Sequence, residues 1–207
     1  EQALLAAAGA GMKVTQARGN MIIDIGAGTT EIAVISMGCV VASESLRTAG
    51  DAFDAELEGY LRRTYGMVVD AGMARQLKEK IGAVDIAAED IQTELYGRNA
   101  VSGLPMMQLL RTAELVTPLQ EVASTIAEGA CRVLEDTPPE MVADILQDGI
   151  CLSGGGALLR GIDSYLATRC HTPVQIASAA ADCTAAGLAK MLSYKGDLQR
   201  LFHLQAK

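Results

Sequence analysis

Met21-Ile22-Ile23-Asp24-Ile25-Gly26-Ala27-Gly28-Thr29-Thr30-Glu31, followed at once by Ile32-Ala33-Val34-Ile35, decides how the chain is read. The apolar run 21–23 has the composition of a buried strand, and the β-branched run 32–35 that of a second. An acidic residue, two glycines and two threonines lie between them, so the stretch predicts strand, tight turn, strand. Gly26 and Gly28 let the backbone approach a ligand closely with its N–H groups turned inward, and the hydroxyls of Thr29 and Thr30 add donors. Asp24, at the end of the first strand, is placed to hold a hydrated divalent cation beside a phosphate chain, because Mg2+ takes oxygen ligands and keeps most of its waters. Taken alone, the same residues suit an ordinary β-hairpin.

A second glycine turn stands far downstream. Gly149-Ile150-Cys151-Leu152-Ser153-Gly154-Gly155-Gly156-Ala157-Leu158-Leu159-Arg160-Gly161 predicts a strand, a turn built on Gly154, Gly155 and Gly156, and a helix from Ala157 to about Arg169. Around these two turns the remaining elements fall into order. Residues 1–9 are rich in Ala and Leu and predict the end of a helix stopped by Gly9 and Gly11. Cys39–Ala42 and Leu46–Thr48 extend an antiparallel run of short strands. Asp51 is placed to cap a helix whose Phe53, Leu57, Tyr60 and Leu61 share a face. Gly66 and Gly72 bracket a break before a helix over 74–81; residues 83–90 read as a surface turn. Strands are expected over 91–96 and 106–110 around Gly103-Leu104-Pro105. Apolar residues at helical intervals predict a long helix over 112–135 with Pro118 near its start, where a proline costs least. Pro138 and Pro139 open the next helix, which runs to Asp148. A short strand over 173–176 and a helix over 182–193 complete the pattern.

Bulk properties narrow the function classes. The chain has 207 residues, half of them hydrophobic and 3% aromatic, so its core must be aliphatic. A net charge of −8 argues against a nucleic-acid surface, which needs clustered Lys and Arg. One bound nucleotide remains compatible with it, because backbone donors hold phosphates without net positive charge. Cys39, Cys131, Cys151, Cys170 and Cys183 are widely spaced and odd in number, and read as small buried hydrophobes rather than disulfides. With only His171 and His203 available, a metal site built on His and Cys is not expected. No run reaches the roughly 18 consecutive apolar residues of a membrane span. The chain starts at Glu1 without a basic n-region, and reads as a piece of something longer.

The two glycine turns, in this order, resemble the phosphate and adenosine loops in the second half of actin-fold ATPases, and the chain is similar to the MreB-type bacterial actins. Thr48-Ala49-Gly50-Asp51 with Asp54, Tyr60-Leu61-Arg62-Arg63, Lys78 with Ile81-Gly82, Gly103-Leu104-Pro105, and Thr137-Pro138-Pro139-Glu140 with Asp144-Ile145 extend the resemblance over nearly the whole chain. It implies an α/β fold: an actin-like ATPase (ribonuclease-H-like) lobe from 1–51 and 113–207, a smaller α+β lobe inserted over 52–112 and carrying filament contacts, and a first half of the fold that is absent. It implies ATP and Mg2+ as ligands. Asp24 would help hold the cation, and Gly26, Gly28, Thr29 and Thr30 would surround the β- and γ-phosphates, with Thr29 helping to place the attacking water. Gly50, Asp51 and Lys78 would join them, and Gly154, Gly155 and Gly156 would flank the α-phosphate and adenosine.

Two positions depart from the family's pattern. The water-orienting carboxylate of its Glu-Glu-Pro stretch falls on Gln2, or on Glu1 with a one-residue offset. An amide can position water by hydrogen bonds but cannot act as a general base. The family's Thr-Ala-Glu-x-x-Lys pattern reads Met73-Ala74-Arg75-Gln76-Leu77-Lys78, so a guanidinium, which only donates, replaces an acceptor expected near the ribose or base. The resemblance implies an ATP-binding, filament-forming cell-shape protein with slow ATP hydrolysis once the other half is supplied. It would be cytoplasmic, including the inner face of the membrane. Its partners would be its own subunits, with cell-wall synthesis or membrane-associated morphogenesis proteins. Three other readings share the fold: an Hsp70-like ATPase lobe, a sugar-kinase lobe, and a non-polymerising scaffold.

Overall fold

The computed structural model describes residues 1–193, and its centre is a five-stranded sheet. Strands β1 (Asn20–Ile25), β2 (Thr30–Ser36) and β3 (Cys39–Leu46) form an antiparallel meander, with β1 the innermost of the three. The chain returns 125 positions after β1 ends to lay β7 (Ile150–Ser153) parallel to β1, pairing Met21 with Ile150 and Asp24 with Ser153. Strand β8 (Val174–Ile176) adds to β7, giving the order β3-β2-β1-β7-β8. Between the two visits to this sheet lie α2 (Gly50–Tyr65), β4 (Met67–Val68), α3 (Ala71–Ile81), β5 (Gln92–Asn99), β6 (Pro105–Arg111), α4 (Thr112–Glu135) and α5 (Pro139–Asp148). Strands β4, β5 and β6 make a separate three-stranded antiparallel sheet. Helices α1 (Gln2–Gly9), α6 (Ile162–Cys170) and α7 (Cys183–Ser193), with 3-10 turns at Gly155–Leu158 and Ala180–Asp182, complete the fold. Mixed α/β architecture is what the sequence predicts.

Strand periodicity distributes β1 over two cores. Met21, Ile23 and Ile25 face a large aliphatic cluster with Phe53, Leu57, Leu119 and Leu152. Ile22 faces the opposite way, into a smaller cluster with Ala6 and Ala7 of α1, Ala33, Ile35 and Cys183. Asp24 shares the parity of Ile22, so its carboxylate lies beneath the sheet on the side covered by α1 and α7. These two helices touch through glycine: a side chain on Gly9 would overlap the Cys183 carbonyl, and one on Gly187 the Leu5 carbonyl.

Several expectations need correction, each for a local reason. Residues 39–46 are one strand, β3, whose pairing with β2 shifts register between Val34 and Ile35. Asp51 lies inside the first turn of α2 and does not cap it; Ala49 is the N-cap. Gly72 sits within α3, which Asp70 caps by accepting from the Met73 amide at 2.8 Å, so the break spans only residues 66–70 and holds the short strand β4. Ala83 and Val84 are buried, and Ala83 bridges to Arg160, so 83–90 is only partly a surface turn. Pro118 is well inside α4, beyond the first turn that tolerates it best. The helix expected over 157–169 is divided, because the 3-10 segment ends at Leu158 with Leu159 extended, and Gly161 at φ +78° is the N-cap of α6, which begins at Ile162. The cysteines are not uniformly buried: Cys39 is exposed, Cys131 and Cys151 are half-buried, and Cys170 and Cys183 are buried. Burial pushes the Cys151 thiol up to about 11 and the Cys170 thiol up to about 12. His203 lies outside the described residues.

Candidate functional site

The carboxyl ends of the parallel strands β1 and β7 open side by side, which is where open α/β sheets hold their ligands. The turn after β1 is closed by the Gly26 amide donating to the Thr29 carbonyl at 2.9 Å. The start of α2 is fastened to the same turn. Gly50 N–H donates to the Gly26 carbonyl at 3.1 Å, and Asp51 N–H to the Ala27 carbonyl at 2.8 Å. Beyond β7, Gly154 at φ +82° turns the chain against Ile25, with its amide committed to the Ala180 carbonyl at 2.7 Å. Between these turns and α3 lies a cavity of about 480 Å³. Gly26, Ala27 and Gly50 line one side, Gly155, Gly156, Leu158, Leu159 and Arg160 another, and Phe53, Arg75, Lys78, Glu79 and Gly82 the third.

The α3 wall is charged and largely self-satisfied. Lys78 Nζ donates to the Gly50 carbonyl at 2.8 Å and stands 2.7 Å from Asp54 Oδ1, an ion-pair contact without hydrogen-bond angles. Arg75 forks across two carboxylates, donating from Nε to Asp54 at 3.3 Å and from Nη2 to Asp51 at 3.0 Å. The bond to Asp54, then the charges of Asp54 and Asp51, hold the guanidinium more firmly protonated.

Beneath the hairpin, Asp24 is buried and collects three donors from three elements. Ser153 Oγ donates at 2.7 Å, Gln2 Nε2 at 3.0 Å and Thr184 Oγ1 at 3.3 Å. Side-chain donors on β7, α1 and α7 thus converge on one carboxylate at the end of β1. Replacing Asp24 with Asn puts an amide N–H2 where an acceptor is needed and removes the charge that strengthens each bond. Asp24→Asn is expected to cost about 1–3 kcal/mol in urea unfolding; a change below half of the lower figure would mean that the three donors find other partners.

The predicted site residues are therefore sorted by the fold. Gly26, Gly50, Lys78, Gly155 and Gly156 come together around the cavity. Gly28 and Thr29 sit at the exposed hairpin tip beside it. Thr30 is buried, its hydroxyl donating to the Thr48 carbonyl at 2.7 Å, and Asp51 is taken up by Arg75. Gly154 shapes the turn from behind, while Asp24 and Gln2 form the buried pair. Ser153, Thr184, Glu79 and Arg160 were not singled out from sequence. Ser153 had a signal, since it directly precedes the glycine turn and a parallel pairing of the two strands sets it opposite Asp24. Thr184 had none, because nothing local ties it to a residue 160 positions away.

Comparison with known proteins bears on this site. A family model described as MreB/Mbl protein matches residues 1–200. The chain is 44% identical over 192 residues to the cell shape-determining protein Mbl of Bacillus cereus, covering 93% of the chain and 58% of that relative. It is 40% identical over 202 residues to the cell shape-determining protein MreB of Escherichia coli K12, covering 96% of the chain and 58% of that relative. The chain thus spans a little over half the length of the curated relatives it matches. Among solved structures it resembles MreB5 of Spiroplasma citri bound to AMPPNP, with TM-score 0.92, 36% identity, 97% of this chain and 60% of that one. A MamK double helical filament matches with TM-score 0.76 at 21% identity, over 93% of this chain and 58% of that one, a likeness of fold alone.

Proposed function

The chain belongs to the MreB/Mbl family, with an actin-like fold, and from that premise we propose that its cavity binds ATP and that the protein is a filament-forming, cell-shape cytoskeletal subunit. The observation that carries the nucleotide reading is the convergence of both glycine turns on one cavity at the carboxyl ends of β1 and β7. The donor set suits a phosphate chain: the Ala27 and Gly28 amides have no backbone acceptor among the described residues, and Thr29 adds an exposed hydroxyl. The relative MreB5 has been solved with AMPPNP and with ADP, which supports the same reading. Residues 1–51 and 113–207 would form the larger lobe and 52–112 the inserted one, the latter contributing Lys78 to the nucleotide.

In this reading Gly26, Gly28, Thr29 and Thr30 surround the β- and γ-phosphates, with Thr30 acting through the turn it braces. Gly154, Gly155 and Gly156 bound the α-phosphate side, and Gly50 and Asp51 fix the start of α2 beside them. Mg2+ would be held through water by Asp24, whose Oδ1 accepts only from Ser153 and keeps a lone pair for a metal-bound water; the ion supplies charge neutralisation for the phosphates. The Gln2 side chain, whose amide oxygen remains an acceptor while its nitrogen donates to Asp24, can orient a water molecule but cannot act as a general base, so any hydrolysis by this site is slow. The same proposal extends to self-association, to contact with cell-wall synthesis or membrane-associated morphogenesis proteins, and to a cytoplasmic location at the membrane's inner face; the cell shape-determining role of the relatives supports it. Among the described residues no helix is long and apolar enough to cross a membrane.

Mg-ATP at about one hundred times its dissociation constant should stabilise the folded chain by about 2.7 kcal/mol, raising the melting temperature by roughly 5–10 °C. Light scattering with ATP, ADP and no nucleotide, with phosphate release followed in parallel, tests the rest. ATP-dependent scattering with slow release supports a filament subunit. A thermal shift without scattering leaves an ATP-binding scaffold, and no thermal shift overturns the nucleotide reading.

A further inference from the structure

The face of α3 turned to the cavity carries Arg75, Lys78, Glu79 and Gly82, the spacing of one helical stripe. Arg75 and Lys78 can only donate, and both are engaged by Asp54. Glu79, by contrast, is a hydrogen-bond acceptor. It is the one acidic side chain lining the cavity, it is exposed as Arg75 is, and although its charge adds to those around Arg75 it makes no hydrogen bond or ion pair among the described residues. Its place along the cavity is defined at both ends. Lys78 Nζ reaches the Gly50 carbonyl beside the phosphate-side turn, whereas Gly82 lies at the opposite end, where its carbonyl accepts from Arg160 Nε at 3.0 Å. Glu79 follows Lys78 on the same wall of the cavity, so a nucleotide with its phosphates at Gly26 and Gly50 and the rest of it in the cavity would pass beside this carboxylate.

We propose that Glu79 is the specificity-determining acceptor for the sugar, taking hydrogen bonds from the ribose hydroxyls; this rests on the nucleotide reading of the cavity. Arg75 cannot do this, since it is a donor and already spans Asp51 and Asp54. Asp54 is nearly fully buried behind Lys78, and Asp51 is held by Arg75. The ligand class is thereby a ribonucleotide rather than a deoxyribonucleotide.

The test is equilibrium binding of ATP, 2′-deoxy-ATP, 3′-deoxy-ATP and ITP to the 207-residue chain and to its Glu79→Ala and Glu79→Gln variants. Position 79 is exposed on a helix, so both variants should keep the wild-type melting temperature. The wild type should bind ATP roughly tenfold more tightly than at least one deoxy analogue, the worth of a hydrogen bond to a charged acceptor. Glu79→Ala should bring that ratio close to one by weakening ATP while leaving the deoxy analogue unchanged, and Glu79→Gln should fall between. An unchanged ratio in Glu79→Ala overturns the proposal and leaves the nucleotide reading standing. So does a variant that alters only the ATP-to-ITP ratio, because the carboxylate then reads the purine amine. Absence of all nucleotide binding by the wild type overturns both.

Discussion

Gly187→Ala lowers the stability of the chain by about 3 kcal/mol or more in urea unfolding, although alanine is the better helix former. The reason is the crossing of α1 and α7, where the new methyl would occupy the space of the Leu5 carbonyl and crowd the Gly9 amide. Both obstacles are backbone, so no rotamer relieves the overlap and the helices must part. Parting them has a second, local effect. Gln2 on α1 and Thr184 on α7 both bond to Asp24, so the carboxylate loses donors in the same step. Gly59→Ala in α2 is the control, because its methyl meets only the guanidinium end of Arg63, which can swing aside. It should be neutral or stabilising by a few tenths to about 1 kcal/mol. If Gly187→Ala costs less than about 1 kcal/mol, the close helix crossing is wrong.

Adjacent glycines in the second turn should separate folding from ligand binding. Gly154→Ala is expected to cost about 3–5 kcal/mol, because an L-residue is strained at φ +82°, ψ 164° and its methyl would overlap the Ile25 carbonyl. At Gly155 an added methyl meets nothing within 4 Å and φ is unremarkable, so Gly155→Ala should change stability by under about 0.5 kcal/mol. Gly155 lines the cavity, however, and its methyl stands in the space assigned to the nucleotide. Melting each variant with and without Mg-ATP distinguishes the two effects. Gly154→Ala should melt early under both conditions, whereas Gly155→Ala should melt like wild type alone and lose most of the ATP-dependent shift. A full shift in Gly155→Ala would place the ligand elsewhere.

How far the fold was legible depended on how local its determinants are. The hairpin of β1 and β2 could be read because two continuous apolar runs and a Gly-containing turn lie within one short stretch, whereas β3 was expected as two separate pieces. Helix α4 was found with its observed ends, 112–135, because 24 residues of helical periodicity outweigh one proline. Misreadings cluster where tertiary contact overrides a local signal. Asp51 has the chemistry of a cap, yet the first turn of α2 is satisfied by the Gly26 and Ala27 carbonyls, which leaves Asp51 for Arg75. Gly72 suggests a break, but Asp70 caps the helix before it. At the site, the glycines were legible because their conformational freedom is written in residue identity. The partners of Asp24 were not, since Gln2, Ser153 and Thr184 are joined only by folding, and Glu79 lay in a helix with no local mark.

The pairing of β1 with β7 also sets an order in time. Strands β1, β2 and β3 are contiguous and can fold against one another as they leave the ribosome, while one edge of β1, from Met21 to Asp24, waits for Ile150 to Ser153. At about 5–20 residues per second, that wait is on the order of ten seconds. For its duration the nascent chain carries an unpaired apolar edge and an aspartate without its serine. The cavity, whose far wall follows β7, is among the last parts of the molecule to be completed, so synthesis stalled before residue 150 would leave a chain with a folded meander and no place for a nucleotide.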